Sequence, residues 1–513
     1  MPYSRPGIYV TEGPFTTNIA TSALTVAAAF VGTAERGPTK PALIQSWAGY
    51  KSQFGDLTAN YEMGYALYHF FANGGRTAYV NRVVSGASST AVSTSSFAGT
   101  VNGGSSQTVF KLKTLNKGTW GNLVTATITA GNVTGTTPTF NLAVNYDGAQ
   151  VENWSELSLD QDNSRYVASV LNNYSSYVSA YEVMYNTGGA STYAAGTTYS
   201  VTPVANQAFT GGNNGSTIAS SDWATALRQL GDVEGQLTIN LVGQSSTTII
   251  NDAITYVTPV ADATAYRKNS FLVIDPDKTK TLASDIVALV TGYTASSYAA
   301  VYYGALSMSN PAVRGAAALR ETYPGGAILG LYQRVDAERG VGRAPAGYAY
   351  TLQNAYGVTT AFNETSVGTL YNAHVNTLKT VPGAGVIVNG ARTLIKTDNT
   401  KYIPSRRTLN YVKAQVEEIT KPALFQPNGP RLRAGIAGNI SKMLNDLWSS
   451  GALAGKSASE AFYIICDETN NTNITIESGE VHVEVGVSLQ TPAEFIVINV
   501  SQFTGGNTVT ETL

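Results

Sequence analysis

Three histidines, His69, His374 and His482, are the first residues to weigh for chemistry, because imidazole titrates nearest neutrality. His69 falls in an apolar helical pattern and His482 on an alternating strand pattern, so both read as structural. No His-x-x-x-His or His–carboxylate spacing points to zinc or iron. A nucleophilic triad would have to join His374 to Asp275 and one of many serines, yet no Gly-x-Ser-x-Gly elbow occurs. Gly340-Val-Gly342 and Gly383-Ala-Gly385 lack the third glycine of a dinucleotide loop, and no complete phosphate-binding Gly-x-x-x-x-Gly-Lys-Ser/Thr is present. Asp275 and Asp277 bracket a proline and read as turn residues. Asp467-Glu468 could hold a divalent ion or simply end a strand in water. The single cysteine, Cys466, allows no internal disulfide and no thiolate cage within one chain. These patterns predict no catalytic residues, no metal and no cofactor.

The elements that would position any site follow from periodicity. Ile8–Thr11 reads as a short strand between Pro6-Gly7 and Gly13-Pro14. Leu24–Gly32 reads as a buried strand, Glu62–Asn73 as a helix stopped by Gly74-Gly75, and Thr77–Val84 as a strand. Leu123–Thr129 and Thr139–Val144 alternate Val and Thr within a β-rich stretch. Leu237–Val242, Ser270–Ile274, Ala299–Tyr303 and Val386–Val388 alternate with helical segments such as Ala283–Thr291, the mark of an α/β layer. Two amphipathic helices are expected near Thr408–Ile419 and Arg431–Ser449, then strands at Ala461–Cys466, Glu480–Leu489 and Glu494–Val500. The last strand is apolar on both faces and needs cover on both.

The chain has 513 residues, of which 13% are charged, against about 25% in an ordinary domain. Thirty tyrosines and a 43% hydrophobic share argue against disorder. Single cores stop growing near ~250–300 residues, so several domains are expected. The net charge of −2 gives no global attraction to nucleic acid or anionic lipid. The longest apolar stretch, Ala23 to Gly32, is half the ~20 residues of a membrane span, and no secretory leader pattern opens the chain. A soluble protein made in a reducing compartment is the expectation. Charge is uneven: residues 84–230 carry 12 charged groups, residues 392–447 net +6, and the segment from Ser457 onward nets −8. The last two are either solvated faces of one domain or surfaces guiding partners.

Several blocks resemble the contractile tail sheath proteins of bacteriophages and related injection systems. They begin with Pro6-Gly7-Ile8-Tyr9-Val10-Thr11-Glu12, Phe30-Val31-Gly32-Thr33-Ala34 and Phe70-Phe71-Ala72-Asn73-Gly74-Gly75-Arg76. Gly118-Thr119-Trp120-Gly121-Asn122, Asp336-Ala337-Glu338-Arg339-Gly340-Val341 and Val388-Asn389-Gly390-Ala391-Arg392-Thr393-Leu394 follow. Tyr402-Ile403-Pro404-Ser405-Arg406-Arg407, Phe425-Gln426-Pro427-Asn428, Leu447-Trp448-Ser449-Ser450-Gly451-Ala452-Leu453 and Pro492-Ala493-Glu494-Phe495-Ile496-Val497 complete the order. Asn389, where the family usually has tryptophan, and Gly342, where a bulky residue is common, depart from the pattern.

The resemblance implies a multi-domain α+β protein with a subtilisin-like α/β domain lacking a catalytic triad, an inserted β-sandwich-like domain, and an α+β C-terminal domain with strand-donating arms. Its expected borders are 1–19 for an N-terminal arm, 20–85 for the first part of the α/β core and 86–225 for the insertion. Residues 226–390 would form the α/β sheath domain, 391–490 the C-terminal domain and 491–513 the C-terminal arm. The implied function is a non-enzymatic subunit of stacked hexameric rings around an inner tail tube, contracting to drive the tube through a host envelope. Its partners would be copies of itself, the tube protein, and baseplate and tail terminator proteins, with no direct nucleic acid and no membrane insertion. It would reside in the virion tail after assembly in host cytoplasm. Ile8, Tyr9, Val10 and Thr11, with Phe495, Ile496, Val497 and Ile498, would supply the inter-subunit strands, and Arg431, Arg433 and Lys442 would face an acidic tube. Rival readings are a phage-derived bacteriocin or other injection device, a non-contractile lattice protein, and a hydrolase dependent on His374.

Overall fold

The computed structural model describes residues 26–86, 91–101, 103–135, 138–183, 199–259, 267–311, 319–494, 499–504 and 507–512, the last two stretches as backbone strands. The expected strands at Ile8–Thr11 and Phe495–Ile498 lie outside the described residues.

A nine-stranded sheet organises the α/β part. Its order is Thr351–Leu352, Gly385–Asn389, Val375–Val381, Ala299–Tyr303, Phe271–Ile274, Leu237–Leu241, Ala27–Gly32, Ala78–Arg82 and Ala42–Ile44. The six central strands run parallel, and antiparallel strands close both edges. Parallel strands joined by crossovers need helices on both faces, which explains their continuous apolar runs. One face packs Phe30, Met63, Phe70, Leu329 and Tyr332, and the other packs Val31, Trp223, Leu227, Ile254 and Ile286. The helix Ser220–Gln229 straddles the expected border at 225–226 and lays Trp223 and Leu227 on this layer.

The helix Gly325–Arg339 was hidden from periodicity because it is buried on nearly every side. It packs on the helix Glu62–Ala72 with almost no spacing between backbones. A Cβ at Gly326 would lie 2.1 Å from the Ala66 carbonyl oxygen, and one at Gly330 would lie 2.4 Å from that of Phe70. Glycine is therefore the residue both positions require.

Between strands Ala78–Arg82 and Leu237–Leu241 the chain builds two four-stranded sheets. One orders Tyr199–Val201, Thr94–Val101, Gln107–Thr114 and Val178–Val183; the other orders Val204–Ala208, Val124–Ala130, Phe140–Tyr146 and Ala149–Leu157. Phe97, Phe110 and Leu112 of the first share a core with Ile128, Phe140 and Leu142 of the second.

The C-terminal part packs the helices Ile403–Thr420 and Pro430–Ser449 with the antiparallel pair Phe462–Ile465 and Glu484–Val487. The first helix begins five residues before the expected Thr408, because Ser405, Arg406 and Arg407 interrupt the apolar pattern although all are buried. The second buries Ile436, Ile440, Met443 and Leu447 as expected. The alternation over Glu480–Leu489 yields a strand only at Glu484–Val487, since Asn471 and Asn470 take the backbone of His482 instead of a ladder. Gly342 sits against the turn after the second helix, where a Cβ would approach that of Ala452 to 2.7 Å. Among the described residues no helix is long and apolar enough to cross a membrane.

Candidate functional site

The residues first weighed for catalysis are placed apart. His69 is buried, bonds Thr322 Oγ1 at 2.9 Å, and is held by burial at a pKa of about 4. His374 bonds the Thr393 carbonyl oxygen through Nδ1 at 2.8 Å, and its pKa too is lowered by burial. Asp275, at the end of the strand Phe271–Ile274, is buried and accepts from Asn240 Nδ2 at 2.9 Å and from the Gly325 amide. Burial raises its carboxyl to about 7. His374 and Asp275 thus spend their bonds on different neighbours and form no triad. Asp467 bonds Thr469 within its own turn. Among the described residues no three His, Cys, Asp or Glu side chains gather to hold a metal. A Gly-Lys-Ser tripeptide does occur at residues 455–457. Its Ser457 caps a four-residue helix, and the Glu460 carboxylate accepts from the Lys456 amide at 2.8 Å, so the turn is already filled by an anion of the chain.

What the structure builds with care is the joints between its parts. Arg407, on the C-terminal part, is 1% exposed and makes a bidentate pair with Asp336 on the helix Gly325–Arg339, one bond measuring 3.0 Å. Its guanidinium lies 4.3 Å from the Tyr332 ring. Two of the quoted sequence blocks are therefore physical partners. Arg36, from the α/β part, sits among aromatic rings of the insertion, 4.3 Å from Tyr177, 5.8 Å from Trp120 and 5.9 Å from Tyr146. It also donates to the Tyr177 hydroxyl at 3.0 Å, while Arg82 donates to the Lys117 carbonyl at 2.8 Å. Composition hid these joints, since cation–π contacts leave no spacing pattern.

A third joint marks where the C-terminal segment leaves the body. Arg392 donates to Glu494 through Nε at 3.1 Å and Nη2 at 2.7 Å, and covers the Tyr371 ring at 3.6 Å. The Tyr371 hydroxyl donates to the same carboxylate. Burial works against the charge, yet these bonds hold Glu494 below the usual carboxylate range.

The basic segment proves to be largely internal. Arg406 and Arg407 are buried, Arg392 pairs with Glu494, and Lys421 pairs with Glu418. Of the three cations expected to face a partner, Arg433 is turned inward at 4% exposure and donates to Asn428 Oδ1 at 3.1 Å. Arg431 and Lys442 are exposed and form no ion pair with a described residue. Eleven residues apart, they share one helix face, with Ala434, Gly435 and Gly438 between them.

Residues 395–503 match the phage tail sheath C-terminal domain family, to which that part of the chain belongs. Over the whole chain the fold is that of contractile sheath proteins. The sheath complex of an extracellular contractile injection system (PVC) in its contracted state is 19% identical, with 98% of each chain covered and a TM-score of 0.58. The contracted helical sheath of the anti-feeding prophage is 18% identical over 98% of this chain and 99% of that one, at 0.56. A sheath tail protein from Listeria innocua is 12% identical over 91% and 95%, at 0.61. Among curated proteins none matches the chain.

Proposed function

We propose that this chain is the sheath subunit of a contractile tail or injection device, polymerising as stacked hexameric rings around an inner tube. The carrying observation is the agreement of the sheath C-terminal domain match with a sheath fold spanning 98% of the chain. On contraction the lattice would drive the tube through an envelope, for genome delivery in a virion or for cargo in a phage-derived device. The full-length fold matches to extracellular injection systems favour keeping the second setting beside the first. Energy would reside in a metastable lattice and not in nucleotide, with a subtilisin-like α/β layer serving as scaffold.

The terminal arms, Ile8–Thr11 and Phe495–Ile498, would add strands to neighbours' C-terminal sheets, where the pair Phe462–Ile465 and Glu484–Val487 offers edges for β-augmentation. The Arg392–Glu494–Tyr371 joint would then be the root about which the C-terminal arm pivots. Arg431 and Lys442 would face an acidic tube, and the small residues between them would let the partner's backbone approach closely. Arg433 supports this face by holding the turn that starts the helix. Baseplate and tail terminator proteins would cap the polymer, assembled in the host cytoplasm without direct nucleic acid contact or membrane insertion.

Negative-stain microscopy of the chain co-produced with its tube tests the reading. Hollow striated tubes are expected, and a monodisperse monomer under those conditions would refute it. Reversing charge at Arg431 and Lys442 together should lower co-assembly and flatten its salt dependence. Unchanged co-assembly would remove the tube assignment while leaving the sheath reading intact.

A further inference from the structure

The most anomalous surface residue is Phe425, between the two C-terminal helices. It is 89% exposed and holds φ at +63°, a left-handed conformation that is an outlier for a bulky side chain. Such strain persists only where the surroundings over-determine it. Here they do: the Gln426 amide donates to the Ala423 carbonyl at 3.1 Å, Asn428 Nδ2 donates to the Glu480 carbonyl at 2.9 Å, and buried Arg433 holds Asn428. Leu424, beside it, is 40% exposed, and the segment gripped by Asn428 carries Ile474 and Val481 at 77% and 36%. Single exposed apolar residues are ordinary, but a strained, pre-positioned aromatic amid others marks a contact surface. Glu477 and Glu480 flank that segment, and no lysine or arginine follows Lys456.

The opposite end of the same helix is complementary. Ala454, Gly455, Lys456, Leu489, Gln490 and Thr491 line an open concavity of about 620 Å³. Lys456 is exposed there. Exposed Arg343 lies beside the same turn, its Nη2 4.0 Å from a Cβ built on Gly451, and neither cation pairs with a described acid. Glu460, the acid in this concavity, is engaged by the Lys456 amide. The 20-residue helix Pro430–Ser449 separates knob and concavity by ~30 Å, so one chain cannot fill its own.

The geometry points to a head-to-tail contact in which Phe425 of one copy, with its acidic rim, seats in the basic concavity at residues 451–456 and 489–491 of the next. This rests on the sheath reading for its occupant, and a heterologous contact of this kind propagates into rings or helices. To test it, a photoreactive benzophenone phenylalanine is placed at position 425 of the full chain. It is irradiated both in the chain alone at high concentration and in particles assembled with the tube, and the adducts are mapped by mass spectrometry. A two-copy adduct on residues 451–491 is expected. Adducts to another protein, to the same copy or to nothing would overturn the contact. Tubes without a two-copy adduct overturn this inference alone, whereas the adduct without tubes overturns the sheath reading and leaves the contact. Phe425→Gly supplies a second readout: the melting temperature should hold or rise as strain is relieved, while assembly falls at least tenfold. Assembly at the wild-type level would refute the knob.

Discussion

At the scale of single residues, the chain uses burial more for cohesion than for chemistry. Asp336 illustrates this, since its carboxylate answers the buried guanidinium of Arg407. Removing one partner strands the other, so Asp336→Ala should cost about 3–5 kcal/mol in denaturant unfolding. Asp275 makes the opposite case. Its folded pKa of about 7 lies above the ordinary carboxylate value, so the folded state binds the proton more tightly than the unfolded state. Its contribution to stability is therefore full below about pH 4 and lost as pH rises towards 7. Asp275→Asn should gain on the wild type progressively across that window, as unfolding free energies measured from pH 4 to 8 would show. His69 works in the reverse sense, losing stability as pH falls from the usual imidazole range towards 4, and is unchanged between the two proteins.

At the scale of elements, helix contacts and domain joints decide what can move. The helices Glu62–Ala72 and Gly325–Arg339 touch through glycine, so Gly326→Ala should overpack that contact and lower stability by about 1–3 kcal/mol in thermal unfolding. The Arg36 clamp ties the insertion to the α/β layer through three rings and two hydrogen bonds. Arg36→Leu should leave both cores folded yet speed proteolysis of the connections near residues 86 and 216, measured against the wild type at equal protease. Unchanged cleavage would mean that the clamp contributes nothing to the joint. Elements with a clear one-sided pattern, such as Glu62–Ala72 and Pro430–Ser449, were legible in the sequence. Gly325–Arg339 and the first turn of Ile403–Thr420 were not, because total burial erases periodicity and because paired arginines mimic a polar surface.

At the scale of the whole molecule, a rigid body built on three clamped parts suits a lattice whose subunits must rotate without unfolding. Removal of residues 1–13 should leave a monomer with wild-type circular dichroism and melting temperature but no ordered tubes by microscopy. Tubes of normal order from that variant would end the N-terminal arm assignment. The low charge finds a partial cause here too, since several of the few cations present sit inside joints and not on the surface.

Sequence alone determined the class of the protein, because ordered motif blocks and strand–helix alternation are written in local residue order. It also showed that charge is concentrated in the last quarter. Only tertiary structure decided what that charge does: it sent Arg406, Arg407 and Arg433 inward, joined Arg392 to Glu494, and left Arg431 and Lys442 in water. The reason is physical, since a guanidinium's partner is set by contacts between residues far apart in the chain, as the 71 positions between Asp336 and Arg407 illustrate. The same holds for Phe425, an unremarked member of a motif until the fold held it exposed in a strained conformation.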